Sequence, residues 1–544
     1  MSEYLQALNP ATQTVLAQVA ITPKEKVRRY VAEMRQAAPV WASFSTLRRA
    51  SILRQFQKIL VGAQEEIVQV MNQNTAKSYQ DALIELFVTV DLLSHTVRNA
   101  PRWLAWEWLP SGLYFTKLCV QERKPFGVVG VLSPWNYPIN LALAPVISAL
   151  IAGNTVVLKA SEWTPAVGAL IEDLFQRVPE LSPFVRVVYG DGKTGAELVD
   201  ASPDMVFLTG SVTTAHKVAE VCAKTLTPFA FELGGKDPTL VLADADIAAA
   251  AKWCCWGANY NAGQACMSVE RVYVMEQVYE QFVMAALKEV EQQRMGYSGE
   301  PDNANDLSAI IMPKQLDVIE NHLQDALAKG ARILTGGKRH GNFFQPTLLV
   351  DVNHDMLIMQ AETFGPILPI MKVESEKQAI RLANDSPFGL GASVWSQDLA
   401  HATRIARQLQ VGTVLINDAI AQFGIPSLPF GGVKQSGNAR THGKEGVLQF
   451  TRTQNYTIGL PPLPFDLATI LRKPGQYHFA RYLFHLLFGV TPQQKLKPLS
   501  EALNSVEGRR TQQGLHTKLA AFGLLGLFSA MLGAFFWQKK RRTF

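Results

Sequence analysis

From Pro125 onward the sequence alternates short apolar runs with longer runs of helical period, and this alternation limits the fold more than any other feature. "FGVVGVLSP" (Phe126–Pro134), "NTVVLKA" (Asn154–Ala160), "VRVVYG" (Val185–Gly190) and "DMVFLTGS" (Asp204–Ser211) read as strands. Between them, "NLALAPVISALIAG" (Asn140–Gly153) reads as an apolar helix closed by its glycine, and "PAVGALIEDLFQRV" (Pro165–Val178) as a helix opened by proline. A further helix is expected after Ser211. Strand–helix alternation implies right-handed crossovers and a mostly parallel sheet, so the chain reads as α/β. A second alternating series runs from near Pro238 to about Asn417.

A chain of 544 residues is too long for one simple core and implies two or three domains. The net charge is only +6, and no central stretch interleaves basic and aromatic residues, so nucleic acid is not an expected partner. The cysteines are Cys119, Cys222, Cys254, Cys255 and Cys266, an odd number at irregular spacing, which argues against a disulfide framework. With no CxxC or HxxxH pair, no metal is expected. The opening "MSEYLQALNPATQ" lacks an apolar core, so the expectation is no secretory signal and a catalytic body in the cytoplasm.

After the proline-rich "GLPPLPF" (Gly459–Phe465) the character changes. "YHFARYLFHLLFGV" (Tyr477–Val490) has a narrow polar stripe of His478, Arg481 and His485, which suits either a membrane-interface or lid helix or a helix packed on the main body. "LAAFGLLGLFSAMLGAFFW" (Leu519–Trp537) runs nineteen residues without a charge, flanked by Lys518 and "KKRR" (Lys539–Arg542). As a helix it would span roughly 28 Å, close to the ~30 Å hydrocarbon thickness of a bilayer. It is expected to be a transmembrane anchor, with Trp537 at the interface.

Three stretches carry candidate chemistry. In "NAGQACMS" (Asn261–Ser268) the neighbours of Cys266 are mostly small, so the backbone can approach a bound molecule and the thiol can be a nucleophile; a packing cysteine is the other reading. In "FELGGKDP" (Phe231–Pro238) Glu232 ends an apolar strand beside a glycine pair, where burial would raise its pKa toward that of a useful base; an ion-pair or helix-cap partner is the alternative. In "SPWNYP" Asn136 lies in a turn before an apolar helix, where its amide could donate to a developing oxyanion. "GDGKTG" (Gly190–Gly195) fits GxGxxG after a strand but lacks the acidic residue of a dinucleotide fingerprint, and it is not a P-loop.

Taken in order, "SPWNYP", "LKASEWTP", "FLTGS", "FELGGKDP", "GQAC", "ETFGP" and "LPFGGVKQSG" resemble the NAD(P)-dependent aldehyde dehydrogenase superfamily over about Leu8 to Asn455. "HGKEG" (His442–Gly446) and the apolar tail more loosely resemble the membrane-anchored fatty, long-chain aldehyde dehydrogenases. The resemblance implies that Cys266 attacks the aldehyde, that Asn136 and the Cys266 N–H form the oxyanion hole, and that Glu232 activates the hydrolytic water. It assigns Trp135, Lys159, Glu162, Gly192, Gly195, Gly210, Ser211, Glu362 and Phe364 to the coenzyme. Lys159 and Glu162 would meet the adenosine ribose, Gly210 and Ser211 the pyrophosphate, and Glu362 and Phe364 the nicotinamide ribose. A carboxylate at Glu162 repels a 2′-phosphate, so NAD is expected, with NADP as the alternative. One departure is Ala215, where the family usually has glycine; its methyl could narrow the pyrophosphate path or be tolerated.

The resemblance implies an NAD-binding doubly wound domain over residues 1–233, including part of an oligomerisation hairpin, and an α/β catalytic domain over 234–430. A return segment with the oligomerisation strand follows over 431–460, then an extension over 461–518 and the membrane helix over 519–537. The expected product is a homodimer, C-terminally anchored in a membrane, that oxidises a hydrophobic aldehyde to its acid. A semialdehyde dehydrogenase, a CoA-acylating relative and an inactive membrane scaffold are the rivals. Retention of Glu232 speaks against the acylating relative, which needs no hydrolytic base.

Overall fold

The computed structural model describes residues 3–112, 114, 117–301, 305–459 and 477–491. The expected membrane helix at Leu519–Trp537 lies outside the described residues. Among the described residues no helix is long and apolar enough to cross a membrane.

The first alternating series builds a five-stranded parallel sheet. Its order is Val185–Val188, Thr155–Lys159, Val128–Leu132, Met205–Gly210, Phe229–Leu233. Every residue of Val128–Leu132 and Thr155–Lys159 is buried, which explains their unbroken apolar runs. Side chains alternate between two cores. Val129, Val131, Val156, Leu158 and Phe207 face one cluster, shared with the helix Asn140–Ala152. Val128, Leu132, Val157, Val206 and Leu208 face another, shared with the helices Lys24–Ser43, Gly192–Asp200 and Val212–Thr225. The sheet is therefore doubly wound. Chain order along it reverses between Val128–Leu132 and Met205–Gly210, the switch point at which such sheets hold a ligand beyond their carboxyl ends.

The second series builds a seven-stranded sheet in the order Arg332–Thr335, Thr347–Val350, Ile367–Val373, Val269–Met275, Asp237–Val241, Gly391–Trp395, Thr413–Ile416. Only its first pair is antiparallel. The helix Asn140–Ala152 ends where predicted: Gly153 takes a left-handed φ of 101°, a conformation that costs glycine nothing.

The N-terminal part holds what the sequence reading left unassigned: the hairpin Tyr4–Leu8/Val15–Ala20 and the helices Lys24–Ser43, Thr46–Gly62, Gln64–Thr75 and Tyr79–Trp103. These residues, with Glu122–Gln454, make one compact unit containing both large sheets. A second unit comprises the described residues of Glu107–Gln121 and those from Asn455 on. Its strand Glu107–Leu109 pairs antiparallel with Lys117–Pro125 in a three-stranded sheet completed by Thr451–Gly459. That last strand covers the position where a C-terminal hairpin strand was expected. The predicted helix beginning at Tyr477 is present as Tyr477–Phe488.

Candidate active site

The thiol of Cys266 sits between the helix Ile247–Asn259 and the strand Val269–Met275. The chain reaches it through a sharp turn in which Asn261 and Ala262 have φ of 54° and 55°. Left-handed backbone at two non-glycine residues is costly and persists only where surrounding bonds enforce it. Those bonds are present. Asn261 Nδ2 donates to the carbonyl oxygens of Asn136 (3.2 Å) and Gln264 (3.1 Å). Gln264 Nε2 donates back to the Asn261 carbonyl at 2.9 Å, and Gln264 Oε1 accepts from the Ile311 N–H at 2.8 Å. Asn136 Nδ2 donates to the Gln264 carbonyl at 3.1 Å, which joins the Asn136 turn to the cysteine loop. An amide nitrogen carries two hydrogens, so this bond leaves Asn136 one donor for a substrate oxygen.

Glu232 lies near the end of the strand Phe229–Leu233, buried, with its Oε1 unpaired. Burial pushes its carboxyl well above the usual range; the Arg440 charge and the Thr441 backbone oppose this without cancelling it. The same physics acts on Cys266. Burial pushes its thiol above the ordinary cysteine range, and the Glu232, Asp237 and Glu362 carboxyls push the same way. The thiol is thus held protonated and needs a base to become nucleophilic.

The glycine pair of "FELGGKDP" has a steric reason. A Cβ on Gly234 would stand 2.3 Å from Glu362 Oε1, and one on Gly235 would stand 2.7 Å from the Cys266 carbonyl oxygen. At Gly235 the obstacle is backbone and only hydrogen fits, whereas a Cβ on Gly234 would displace the Glu362 carboxylate; the pair brings the Glu232 strand, the cysteine loop and Glu362 together. Glu362 Oε1 accepts from the Gly235 N–H at 3.3 Å. Burial and the Glu270 carboxylate push the Glu362 carboxyl up to about 8. Phe364 meets Trp135 edge-on, ring centroids 5.6 Å apart.

The other predicted residues lie at carboxyl ends of the five-stranded sheet. Lys159 ends its strand, and its Nζ is 2.6 Å from Glu162 Oε2. Gly210 ends the strand at the switch point, and Ser211 caps the helix Val212–Thr225 by accepting from the Thr214 N–H at 3.3 Å. Gly192 and Gly195 lie on the helix Gly192–Asp200, and a Cβ on Gly192 would meet nothing within 4 Å. This open ground beside a lysine–carboxylate pair and a helix N-terminus fits a dinucleotide laid across the strand ends. Ala215 does not narrow that ground: it is buried in the cluster with Val218 and Cys222.

The wall beside the thiol is apolar and largely aromatic. Tyr137, Leu141, Met267, Ile420, Phe423 and Phe430 form one buried cluster against which Cys266 packs. Arg440, ten residues after Phe430, spends its Nη1 on the carbonyls of Gly432 and Ala439, each at 2.7 Å.

Several supporting residues escaped the sequence reading: Asn261, Gln264, Lys236, Glu270, Lys77 and Glu85. The signal available for Glu270 and Arg271 was charge inside an otherwise apolar strand, "VERVYVM".

A dinucleotide crevice joined to a half-buried thiol and buried carboxylates describes an oxidoreductase that works through cysteine. A family model described as the aldehyde dehydrogenase family matches residues 1–456. The 4,4'-diapolycopene aldehyde oxidase of a Methylomonas species is 40% identical over 450 residues, 82% of this chain and 84% of that one. A Mycolicibacterium smegmatis protein provisionally named an NADP-dependent succinate-semialdehyde dehydrogenase is 34% identical over 444 residues, 81% of this chain and 86% of that one. The structure of Staphylococcus aureus betaine aldehyde dehydrogenase in complex with NAD+ superposes with a TM-score of 0.80 at 29% identity, covering 84% of this chain and 92% of that one. The chain belongs to the aldehyde dehydrogenase family. None of these relatives is named a fatty aldehyde dehydrogenase, so the family is the level at which the resemblance stands.

Proposed function

We propose that this protein oxidises a hydrophobic aldehyde, long-chain or polyene, to the carboxylic acid with NAD. The observation that carries the substrate class is the aromatic and aliphatic wall around Cys266; Lys77 Nζ stands 4.1 Å from the Tyr137 ring but is paired with Glu85 rather than held for a substrate carboxylate. The name of the Methylomonas relative points the same way.

In this reading Cys266 loses its proton to solvent, and the thiolate adds to the aldehyde carbon. The resulting oxyanion takes the free Asn136 amide hydrogen and the Cys266 N–H. Lys159, Glu162, Gly192, Gly195, Gly210 and Ser211 hold the adenosine and pyrophosphate end of the coenzyme, and Trp135, Glu362 and Phe364 the nicotinamide end. NAD, when bound, would supply the hydride acceptor, and loss of that hydride would leave the substrate carbon as a thioester on Cys266. Glu232, whose raised pKa makes its ionised form a competent base, takes a proton from the water that hydrolyses this thioester. The acid leaves, and the thiol is restored.

The testing experiment is NAD and NADP reduction with aldehydes from acetaldehyde to octadecanal, a polyene dialdehyde and succinate semialdehyde. The reading expects kcat/KM to rise with apolar length. Preference for the semialdehyde would overturn the substrate class.

We further infer membrane anchoring through Leu519–Trp537 with the catalytic body on the cytoplasmic side, supported by nineteen uncharged residues between basic flanks. Exposed Phe484 and Phe488 on the preceding helix suit an interface. A homodimer built on the three-stranded sheet is supported by its exposed Trp108 and Ile458. Truncation before Leu515 should release the protein from vesicles and spare turnover of short aldehydes. Continued sedimentation with vesicles would remove this anchor from the reading.

A further inference from the structure

Two charged residues are buried between the coenzyme turn and the cysteine strand. Glu270 is on the strand Val269–Met275, four residues after Cys266, and Lys236 directly follows the glycine pair; both are nearly inaccessible. Burying such groups costs several kcal/mol each unless every lone pair and proton finds a partner. Lys236 Nζ bonds Glu270 Oε2, and donates to Thr363 Oγ1 at 3.0 Å. Glu270 accepts from the Thr363 N–H at 3.0 Å and from the Phe364 N–H at 2.9 Å. Thr363 Oγ1 also lies 3.2 Å from His322 Nδ1.

Apart from the ion pair itself, these bonds converge on Thr363 and Phe364. Phe364 has a φ of 51°, left-handed backbone that a bulky residue adopts only under constraint. A carboxylate gripping two successive N–H groups supplies that constraint. Glu362 is tied separately to the Gly235 N–H. One ion pair thus links the strand after the nucleophile, the loop after the base and the turn that faces the coenzyme.

We propose that Glu270 and Lys236 are positioning residues that hold Glu362 and Phe364 in their coenzyme-binding geometry; this rests on the reading of those two residues as the nicotinamide-end contacts. The hydrogen bonds of the pair are with Thr363, Phe364 and Arg271, not with the thiol or the residues of the apolar wall. Its loss therefore reaches coenzyme affinity ahead of aldehyde affinity or thiol chemistry.

The test compares full-length wild type, Glu270→Gln, Lys236→Met and the double variant. NAD dissociation constants are read by calorimetry, KM for aldehyde by turnover, and access to Cys266 by its alkylation rate with iodoacetamide. Glu270→Gln should weaken NAD about tenfold or more, because it loses charged hydrogen bonds and strands a buried cation. The double variant, which removes the stranded charge, should recover part of that loss. Aldehyde KM and alkylation should stay within about twofold. Lys236→Arg gives the same comparison should Glu270→Gln fail to fold. Unchanged NAD affinity would overturn the proposal, and so would parallel losses in all three readouts, which mark a general structural role. Wild type that binds NAD but oxidises no aldehyde would defeat the functional reading while leaving this inference standing.

Discussion

Lys77 Nζ lies 2.6 Å from Glu85 Oε2 in a place where neither side chain reaches solvent. The other oxygen, Glu85 Oε1, accepts from the Ile139 N–H at 2.9 Å and the Asn140 N–H at 3.0 Å. The helix Asn140–Ala152 has no side-chain cap of its own, so Glu85 caps it from across the fold. Lys77 Nζ also stands 4.1 Å from the centre of the Tyr137 ring. The pair therefore pins the turn that carries Trp135, Asn136 and Tyr137. Breaking it by Glu85→Ala or Lys77→Met should cost roughly 3–5 kcal/mol each, since either leaves a buried charge alone. The double substitution should cost clearly less than the sum, as read by chemical denaturation. Strict additivity would mean the two charges do not depend on each other.

Cys266→Ala should abolish aldehyde oxidation and leave coenzyme binding near wild type, because the thiol alone can hold the substrate carbon covalently. Turnover and coenzyme dissociation constants check it. Residual turnover above about 1% of wild type would remove Cys266 from the chemistry.

Glu232→Gln should separate acylation from hydrolysis. A burst of NADH near one equivalent should precede a slow steady state, with turnover lowered by roughly 10²–10⁴. Rapid-mixing absorbance checks it. An unaltered steady state would make Glu232 structural.

The Glu362 contribution to stability should fall as pH rises from about 5 to 8, against a rise up to about 6.5 from His442, whose imidazole is pushed down to about 4 by burial. In the fold Glu362 keeps its proton until about 8, whereas the unfolded chain releases it near the ordinary 4.5. The folded state therefore binds the extra proton, and its stabilising contribution is complete below the lower value and lost as pH climbs through the upper one. Buried Glu232 acts in the same direction. Glu362→Gln should flatten the profile of Tm against pH between about 6.5 and 8, above the His442 range. Parallel profiles would show that Glu362 titrates normally. The raised thiol pKa adds that alkylation of Cys266 in the free enzyme should still be accelerating above pH 9.

Glu162→Ser should shift coenzyme preference toward NADP by removing a negative charge beside Lys159, which it meets at 2.6 Å. The ratio of kcat/KM for the two coenzymes should move by about tenfold or more, and an unmoved ratio would place Glu162 away from the 2′ position.

The local signals in the sequence were those of backbone and pattern. Unbroken apolar runs become strands buried on both faces, and Gly153 stops its helix because only its left-handed backbone is free of a Cβ penalty. The amphipathic N-terminal helices were harder to read, since Pro39 and Pro101 interrupt their pattern while packing keeps the helices whole. What folding alone decided are the long-range partners. Lys77 sits in the connection between the helices Gln64–Thr75 and Tyr79–Trp103 and Glu85 on the second of them, and nothing in their spacing points to the turn at Asn136. Glu270 looks like an error in an apolar strand until Lys236 and the N–H groups of Thr363 and Phe364 arrive to pair it. Even Ala215, suspect as a bulky replacement near the pyrophosphate, is harmless once its methyl is seen to face the core. Hydrophobic period is written residue by residue, but compensation of a buried charge such as Glu270 depends on groups up to 94 positions away, and only the closed fold brings them within bonding distance.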